Sequence, residues 1–308
     1  MTQELQIGVL GAGLMGHGIA LTFARAGHQV LVFDPNAEAL ESLHERVAVS
    51  MQLLGCSDQE ISSGQARILA AQSVEACVAQ ADYIFEAAPE KLELKQSLFA
   101  EAIQYASESA VIASNTSVIQ ISKIVSDLPT RERLLGTHWW NPPHQIPLVE
   151  VIKTQWTDAG VAESMHKLLM DSGKKAVMVE KDVPGFIGNR LQHALWREAI
   201  SLVENGICTA EAVDDVVKSS FGRRLAVLGP LENADLVGIE LTQDIHNQVL
   251  FDLEKQPSPS AYLQKLLDEG RTGMADGAGF RNWTSDDLQK TKARISEHLK
   301  NLEDILPS

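Results

Sequence analysis

Hydrophobic positions fall into two regimes along the chain. Short, nearly unbroken apolar runs recur at 6-QIGVL-10, 29-QVLVFD-34, 83-YIFEAA-88, 110-AVIASN-115, 133-RLLGTHWW-140, 148-LVEVIK-153 and 176-AVMVE-180. Runs of this length, rich in Val and Ile and separated by helical periodicities, predict strands of a mostly parallel sheet buried on both faces. After 182-DVPGF-186 the strand signals stop, and residues 189–308 carry only helical patterns broken by Gly and Pro. One helix is expected from Asn189, with Leu191, Ala194, Leu195, Ala199, Leu202 and Val203 on one face and Asn205-Gly206 as its stop. Residues 38–80 read as two helices with no strand between them, broken at 55-GCSD-58. The expected fold is α/β: a Rossmann-like doubly wound sheet with a helical-hairpin insertion over residues 1–185, then an all-α domain over 186–308.

The first strand runs into Gly11-Ala12-Gly13-Leu14-Met15-Gly16 and then a helix, while Asp34 closes the second strand. This context turns a common glycine pattern into a dinucleotide signature. Gly11 permits the tight turn, Gly13 lets a pyrophosphate approach the backbone, and Gly16 lets helix and strand pack closely. Asp34 suits the free ribose hydroxyls of NAD and repels the 2'-phosphate of NADP, and no Arg follows it to rescue that phosphate, so NAD rather than NADP is expected.

In 136-GTHWWNPPHQIPLVEVIK-153, Glu150 sits inside an apolar run. A buried carboxylate needs a donor or a cation. His138, twelve residues earlier at a strand end, can return through Asn141-Pro142-Pro143 to supply one. Such a pairing fixes the imidazole tautomer and suits His138 to remove a proton from an alcohol. His144 is a competing base, read as pocket wall or solvent-facing. Trp139 and Trp140 are either walls of a substrate pocket, where a trimethylammonium group such as carnitine's would find aromatic faces, or core.

Composition narrows the partners. The 308 residues carry a net charge of −15, which argues against nucleic acid. No run approaches the length of a membrane span, and Met1-Thr2-Gln3-Glu4-Leu5-Gln6 lacks the basic start of a signal peptide. Cys56, Cys77 and Cys208 lack metal-ligand spacing, so no metal is expected, and a cytoplasmic setting with reduced thiols is.

Taken together, the dinucleotide motif, 114-SNTS-117, 138-HWWNP-142, 148-LVEV-151 and 183-VPGFIGNR-190 resemble the L-3-hydroxyacyl-CoA dehydrogenase superfamily, in order over about residues 6–240. The double proline followed by Ile-Pro-Leu-Val-Glu resembles the branch that holds L-gulonate 3-dehydrogenase and a pyridine-carboxylate dehydrogenase. The resemblance implies an NAD-dependent dehydrogenase, a homodimer formed through the helical domain, and a set of site residues. His138 becomes the general base and Glu150 its orienting partner, with Ser117 and Asn189 serving the substrate oxygen and the histidine. Gly11, Gly13, Leu14, Met15, Gly16, Asp34, Glu90, Lys95 and Asn115 line the cofactor. The residues alone also allow Ser117 and Asn189 to be helix caps.

The substrate is a small molecule whose class divides two readings. Residues 38–80 hold six acidic residues, no Lys, and only Arg46 and Arg67. Such a surface repels the phosphates of CoA and favours a small free hydroxy acid. Trp139, Asn141 and Arg224 are the expected substrate contacts, with Arg224 of 222-GRRLAVLGP-230 either a carboxylate anchor or a surface arginine. Ala275, before 276-DGAGF-280, replaces a Lys usual in the family. A short-chain 3-hydroxyacyl-CoA dehydrogenase and an inactive NAD-binding structural protein are the alternatives.

Overall fold

The computed structural model describes residues 4–305; residues 1–3 and 306–308, the ends of both expected domains and the start of the stretch read against a leader, lie outside the described residues. Seven of the expected strands form where the apolar runs fall: β1 (Gln6–Leu10), β2 (Gln29–Phe33), β4 (Tyr83–Glu86), β5 (Val111–Ser114), β6 (Leu134–Trp139), β7 (Leu148–Ile152) and β8 (Lys175–Val179). With β3 (Ile68–Ala70) they make one eight-stranded sheet in the order β3-β2-β1-β4-β5-β6-β7-β8. All neighbours are parallel except β6 and β7, which run antiparallel. The strand order reverses between β1 and β4, so a crevice opens beyond their carboxyl ends, where dinucleotides bind in such sheets.

Residues 38–80 depart from the expectation of two helices and nothing more. They fold as α2 (Ala37–Glu41), α3 (Leu43–Leu53) and α4 (Asp58–Ala66), then strand β3 and the short α5 (Val74–Val78). The break at 55–58 is real: Gly55 takes a φ of 78°, and Ser57 with Glu60 forms a capping box that starts α4. Strand β3 escaped the pattern because it is three residues long and lies at the sheet edge beside β2, with Leu69 left exposed.

Helices cover both faces of the sheet. Against one face, Ile19 and Phe23 of α1 (Gly16–Arg25), Val47 and Met51 of α3, and Leu169 of α8 (Ala159–Asp171) pack on Phe85 and Trp139. Against the other, Phe99 of α6 (Leu92–Tyr105) and Ile121 and Ile124 of α7 (Ile121–Val125) pack with Ile84, Ile112 and Leu134. These apolar layers explain the two-sided burial of the strands.

The chain divides into two compact units, one running to Arg190 and including the last helical turns from Leu299, the other Leu191–His298. Helix α9 (Gly188–Glu204) ends, as its sequence predicts, ahead of Gly206 with a φ of 68°. Beyond it come α10 (Ala210–Ser219), α11 (Pro230–Val237), α12 (Ile239–Val249), α13 (Ala261–Asp268) and α14 (Ser285–Ile305). This second unit leaves much apolar surface uncovered, including Leu231 at 80% exposure and Leu236 at 74%. Among the described residues, no helix is long and apolar enough to cross a membrane.

Candidate active site

The glycine loop fits a dinucleotide by its own geometry. Gly11 has a φ of 114°, and a Cβ there would lie 2.7 Å from the Ala87 carbonyl oxygen. A Cβ on Gly16 would lie 1.8 Å from the Gly11 oxygen, so the start of α1 closes on the loop only with glycine. Gly13 differs: a Cβ there meets no atom within 4 Å, so its glycine serves what approaches from outside. No side chain caps the N-terminus of α1; the His17 N–H returns to the Gly13 carbonyl at 3.2 Å, and the N-terminal end of the helix faces the loop as a place for phosphate oxygens. Leu14 is 64% exposed beside it, and Met15 packs partly into the core. The residues present therefore fit NAD.

Asp34, at the end of β2, is held against this loop. Its Oδ2 accepts from the Ala12 N–H at 2.7 Å and its Oδ1 from the Asn36 N–H at 2.8 Å. No arginine follows Asp34 closely in sequence, but one reaches the same loop from α3. Arg46, twelve residues on in α3, folds back to donate to the Gly13 carbonyl at 3.2 Å and the Ala39 carbonyl at 2.6 Å. His17 also contacts the Gly13 carbonyl through Nδ1 and reaches Ser50 of α3 through Nε2, both at 3.2 Å.

At the carboxyl ends of β4 and β5 lies a charged cluster. Lys95 and Glu86 are fully buried, with Nζ 2.8 Å from Oε1 and 3.1 Å from Oε2. Glu86 also accepts from the Ser114 hydroxyl at 2.5 Å and the Ala88 N–H at 2.7 Å. Lys95 lies 3.6 Å from Glu90, whose Oε1 accepts from the Thr116 hydroxyl and from the N–H groups of Ser117, Val118 and Ile119. Burial works to raise the Glu90 carboxyl, but the Thr116 hydroxyl, Lys95 and these N–H groups outweigh it and hold it below the usual carboxylate range. Glu90 thus shapes the loop that carries Ser117, and Lys95 serves two carboxylates. Glu86 has no counterpart among the expected site residues, although it shows the same signature as Glu150, a carboxylate inside an apolar run.

The antiparallel pairing of β6 and β7 sets His138 directly opposite Glu150. His138 Nδ1 lies 2.7 Å from Glu150 Oε2, with His138 3% and Glu150 1% exposed. Glu150 Oε1 accepts from the N–H groups of Ile187 at 2.8 Å and Gly188 at 3.1 Å, at the start of α9. Burial works to raise the Glu150 carboxyl, yet the bonds from His138, Ile187 and Gly188 prevail and hold it below the usual range. An ionised Glu150 fixes the tautomer: Nδ1 donates its proton to Oε2, and Nε2 keeps the lone pair.

Two aromatic rings flank the imidazole, Trp140 at 5.2 Å and Phe186 at 5.6 Å between centroids. Phe186 takes a φ of 51°, left-handed backbone that a bulky residue rarely adopts, next to Gly185 at 73°. That turn presents the Ile187 and Gly188 N–H groups to Glu150. Gly188 has no alternative: a Cβ would lie 2.4 Å from Cζ2 of Trp140.

Ser117 and Asn189 are linked, since Asn189 Nδ2 donates to the Ser117 carbonyl at 2.8 Å. Neither residue is a helix cap. Helix α7 begins at Ile121, past Ser117, and Asn189 lies inside α9 rather than ahead of it. Asn115 Oδ1 accepts from the Trp139 N–H at 3.1 Å, tying the Ser117 loop to the strand of His138.

The other expected residues divide. Trp139 is corrected from substrate wall to core: alternation along β6 turns it away from His138, it is 2% exposed, and its ring meets Phe23 and Phe85 edge-on. Asn141 is exposed in the turn after β6. Arg224 is exposed in the second unit, after a 3-10 turn at Phe221–Arg223. His144 is half-buried, away from the His138–Glu150 pair. It packs on α1 beside His17 and Gly18, and burial, reinforced by His17, Lys174 and Arg25, pushes its imidazole down to about 4.

Known proteins resemble this chain over most of its length. Residues 6–183 match the NAD-binding domain of 3-hydroxyacyl-CoA dehydrogenase, and residues 185–283 match its C-terminal domain. The chain is 30% identical over 297 residues to 5-formyl-3-hydroxy-2-methylpyridine 4-carboxylate 5-dehydrogenase of Mesorhizobium japonicum, covering 96% of this chain and 95% of that one. A crystal structure of an enzyme of this kind, described as an NAD+ dependent dismutase, superposes with a TM-score of 0.91 at 29% identity over 98% of both chains. L-carnitine dehydrogenase of a Pseudomonas species is 33% identical, covering 89% of this chain and 86% of its own. The human mitochondrial hydroxyacyl-coenzyme A dehydrogenase is 34% identical, covering 88% and 89%. With a dinucleotide loop and a histidine–carboxylate pair in the matched region, the chain belongs to the 3-hydroxyacyl-CoA dehydrogenase family, as an NAD-dependent dehydrogenase of CH–OH groups.

Proposed function

We propose that this dehydrogenase oxidises a small carboxylated secondary alcohol, with His138 as the general base. The observation that carries the reading is the 2.7 Å bond from His138 to a Glu150 also fixed by two backbone N–H groups. That arrangement leaves Nε2 as the acceptor for the hydroxyl proton while Glu150 stabilises the imidazolium that results. Bound NAD supplies the hydride acceptor. Ser117 holds the substrate oxygen, and Asn189 positions Ser117 through its carbonyl. Glu90 and Lys95 act beside them, by shaping the Ser117 loop and neutralising the carboxylates around it.

The free acid is favoured over a thioester by charge. Residues 38–80 lack Lys, Arg67 is paired with Glu4, and Arg46 is turned to the glycine loop. These contacts leave that segment poorly equipped for the phosphates of CoA. Relatives named for a pyridine carboxylate and for carnitine support the same reading. The human relative named for hydroxyacyl-coenzyme A supports the second reading, a thioester substrate. Arg224 is the proposed anchor for the substrate carboxylate.

Initial rates of NADH formation or consumption with purified protein separate the two. The panel sets acetoacetyl-CoA and 3-hydroxybutyryl-CoA against L-gulonate, carnitine, 3-hydroxybutyrate and pyridine carboxylates. The free acids are expected to win, His138→Ala to abolish turnover, and Arg224→Ala to raise KM for them. Faster thioester turnover would overturn the substrate class, and NAD binding without any turnover would point to a structural role.

We also infer a homodimer formed through residues 191–298, because that unit exposes Val227, Leu231, Leu236 and Phe251 at 70% or more. A cytoplasmic setting is inferred from the free thiols of Cys56, Cys77 and Cys208.

A further inference from the structure

Arg46 is held in a way that its surroundings do not explain. Its guanidinium bonds to the Gly13 and Ala39 carbonyls and, at 3.2 Å, to the Ser42 hydroxyl. All three acceptors are neutral. Of the five N–H donors of an arginine, these bonds engage three and leave two. A positive charge brought against the dinucleotide loop with no salt-bridged carboxylate among the described residues, Asp34 acting on it only through space, is a group prepared for an anion.

Its neighbour decides which anion. Asp34 bonds to the N–H of Ala12, and Arg46 to the carbonyl of the next residue, Gly13. The two opposite charges are therefore anchored on consecutive residues of one loop. Burial lowers the Arg46 guanidinium and the Asp34 carboxylate opposes that effect, so the two groups interact. In this fold an acidic residue at the end of the second strand meets the adenosine ribose 2'-hydroxyl, and an arginine nearby is what accommodates a 2'-phosphate.

The geometry points to a latent NADP site: Asp34 alone keeps the 2'-phosphate out, and Arg46 already stands where that phosphate would be bound once the Asp34 charge is removed. Arg46 is thus a specificity residue whose effect Asp34 masks. Its placement also stabilises the loop, so a test must separate anion recognition from loop support.

The experiment is a fluorescence titration of the full chain with NADH and with NADPH, independent of any substrate. The wild-type chain is expected to bind NADH more tightly. Asp34→Ser is expected to improve NADPH affinity about tenfold or more relative to NADH, and Asp34→Asn, which keeps an acceptor for Ala12, to do the same should the serine variant fold poorly. Adding Arg46→Leu to either should return the ratio of the two affinities toward its starting value, whereas Arg46→Lys should retain part of the gain. A merely supportive Arg46 would weaken both nucleotides by the same factor and leave the ratio of the Asp34 variant unmoved, which overturns the proposal. So does an Asp34 variant with no gain for NADPH.

Discussion

Glu150→Gln tests the central pairing most sharply, because it keeps the shape and changes only the charge and the donor pattern. The glutamine carbonyl can still accept from Ile187 and Gly188, which places its amide N–H₂ against His138. His138 Nδ1 must then accept rather than donate, and the proton moves to Nε2. The imidazole loses the lone pair that takes the substrate proton. The analogous exchange in a serine-protease triad costs about 10⁴ in rate, so a fall of about 10³- to 10⁴-fold in kcat is expected here, or about 4–5.5 kcal/mol. Stability should suffer less. Three charge-assisted bonds become neutral ones, each weaker by about 1 kcal/mol, for a total of about 2–3 kcal/mol. The assay pairs NADH initial rates on the best substrate of the panel with a thermal melt followed by circular dichroism. A folded variant that retained more than about a tenth of the wild-type kcat would refute the tautomer argument.

Gly188→Ala drives a Cβ to 2.4 Å from the Trp140 ring, and because that ring rests on His138 the variant should lose about 1–3 kcal/mol of stability together with kcat, read by melting and rates. Lys95→Met strands the buried Glu86 carboxylate and should cost about 3–5 kcal/mol in denaturant unfolding, with Glu86→Gln in the same chain restoring part of it; a loss under about 1 kcal/mol would contradict the pairing. His144 is depressed from 6.5 to about 4, so between those values the unfolded chain takes up a proton that the folded chain refuses, and stability falls as pH is lowered through that window. His17 and His28, also lowered by burial, add to the same slope. The denaturation midpoint of His144→Gln should therefore depend less steeply on pH there, and an unchanged slope would sink this account.

Much of this molecule is legible in its sequence because burial on both faces of a mostly parallel sheet writes short apolar runs, whose length and flanking glycines set them apart from helices. Seven strands, the glycine loop and the juxtaposition of His138 with Glu150 follow from such runs and their interruptions. What stayed hidden depends on partners without a local signature. Strand β3 is too short and too exposed to carry a pattern. The bonds from Ile187 and Gly188 to Glu150, and from Arg46 to Gly13, involve backbone atoms that every residue has. Trp139 was readable: strand periodicity alone sets it on the face opposite His138, so two adjacent tryptophans cannot both wall one pocket.

The left-handed backbone at Phe186 carries a consequence for engineering. A bulky side chain in that conformation costs of order 1–3 kcal/mol, which glycine or asparagine would relieve. Selection for thermal resistance would accordingly favour either at position 186. Each would also remove the ring that lies against the imidazole. Robustness and alignment of the base are therefore opposed at this one residue, and a variant library ranked by melting temperature alone would drift away from turnover.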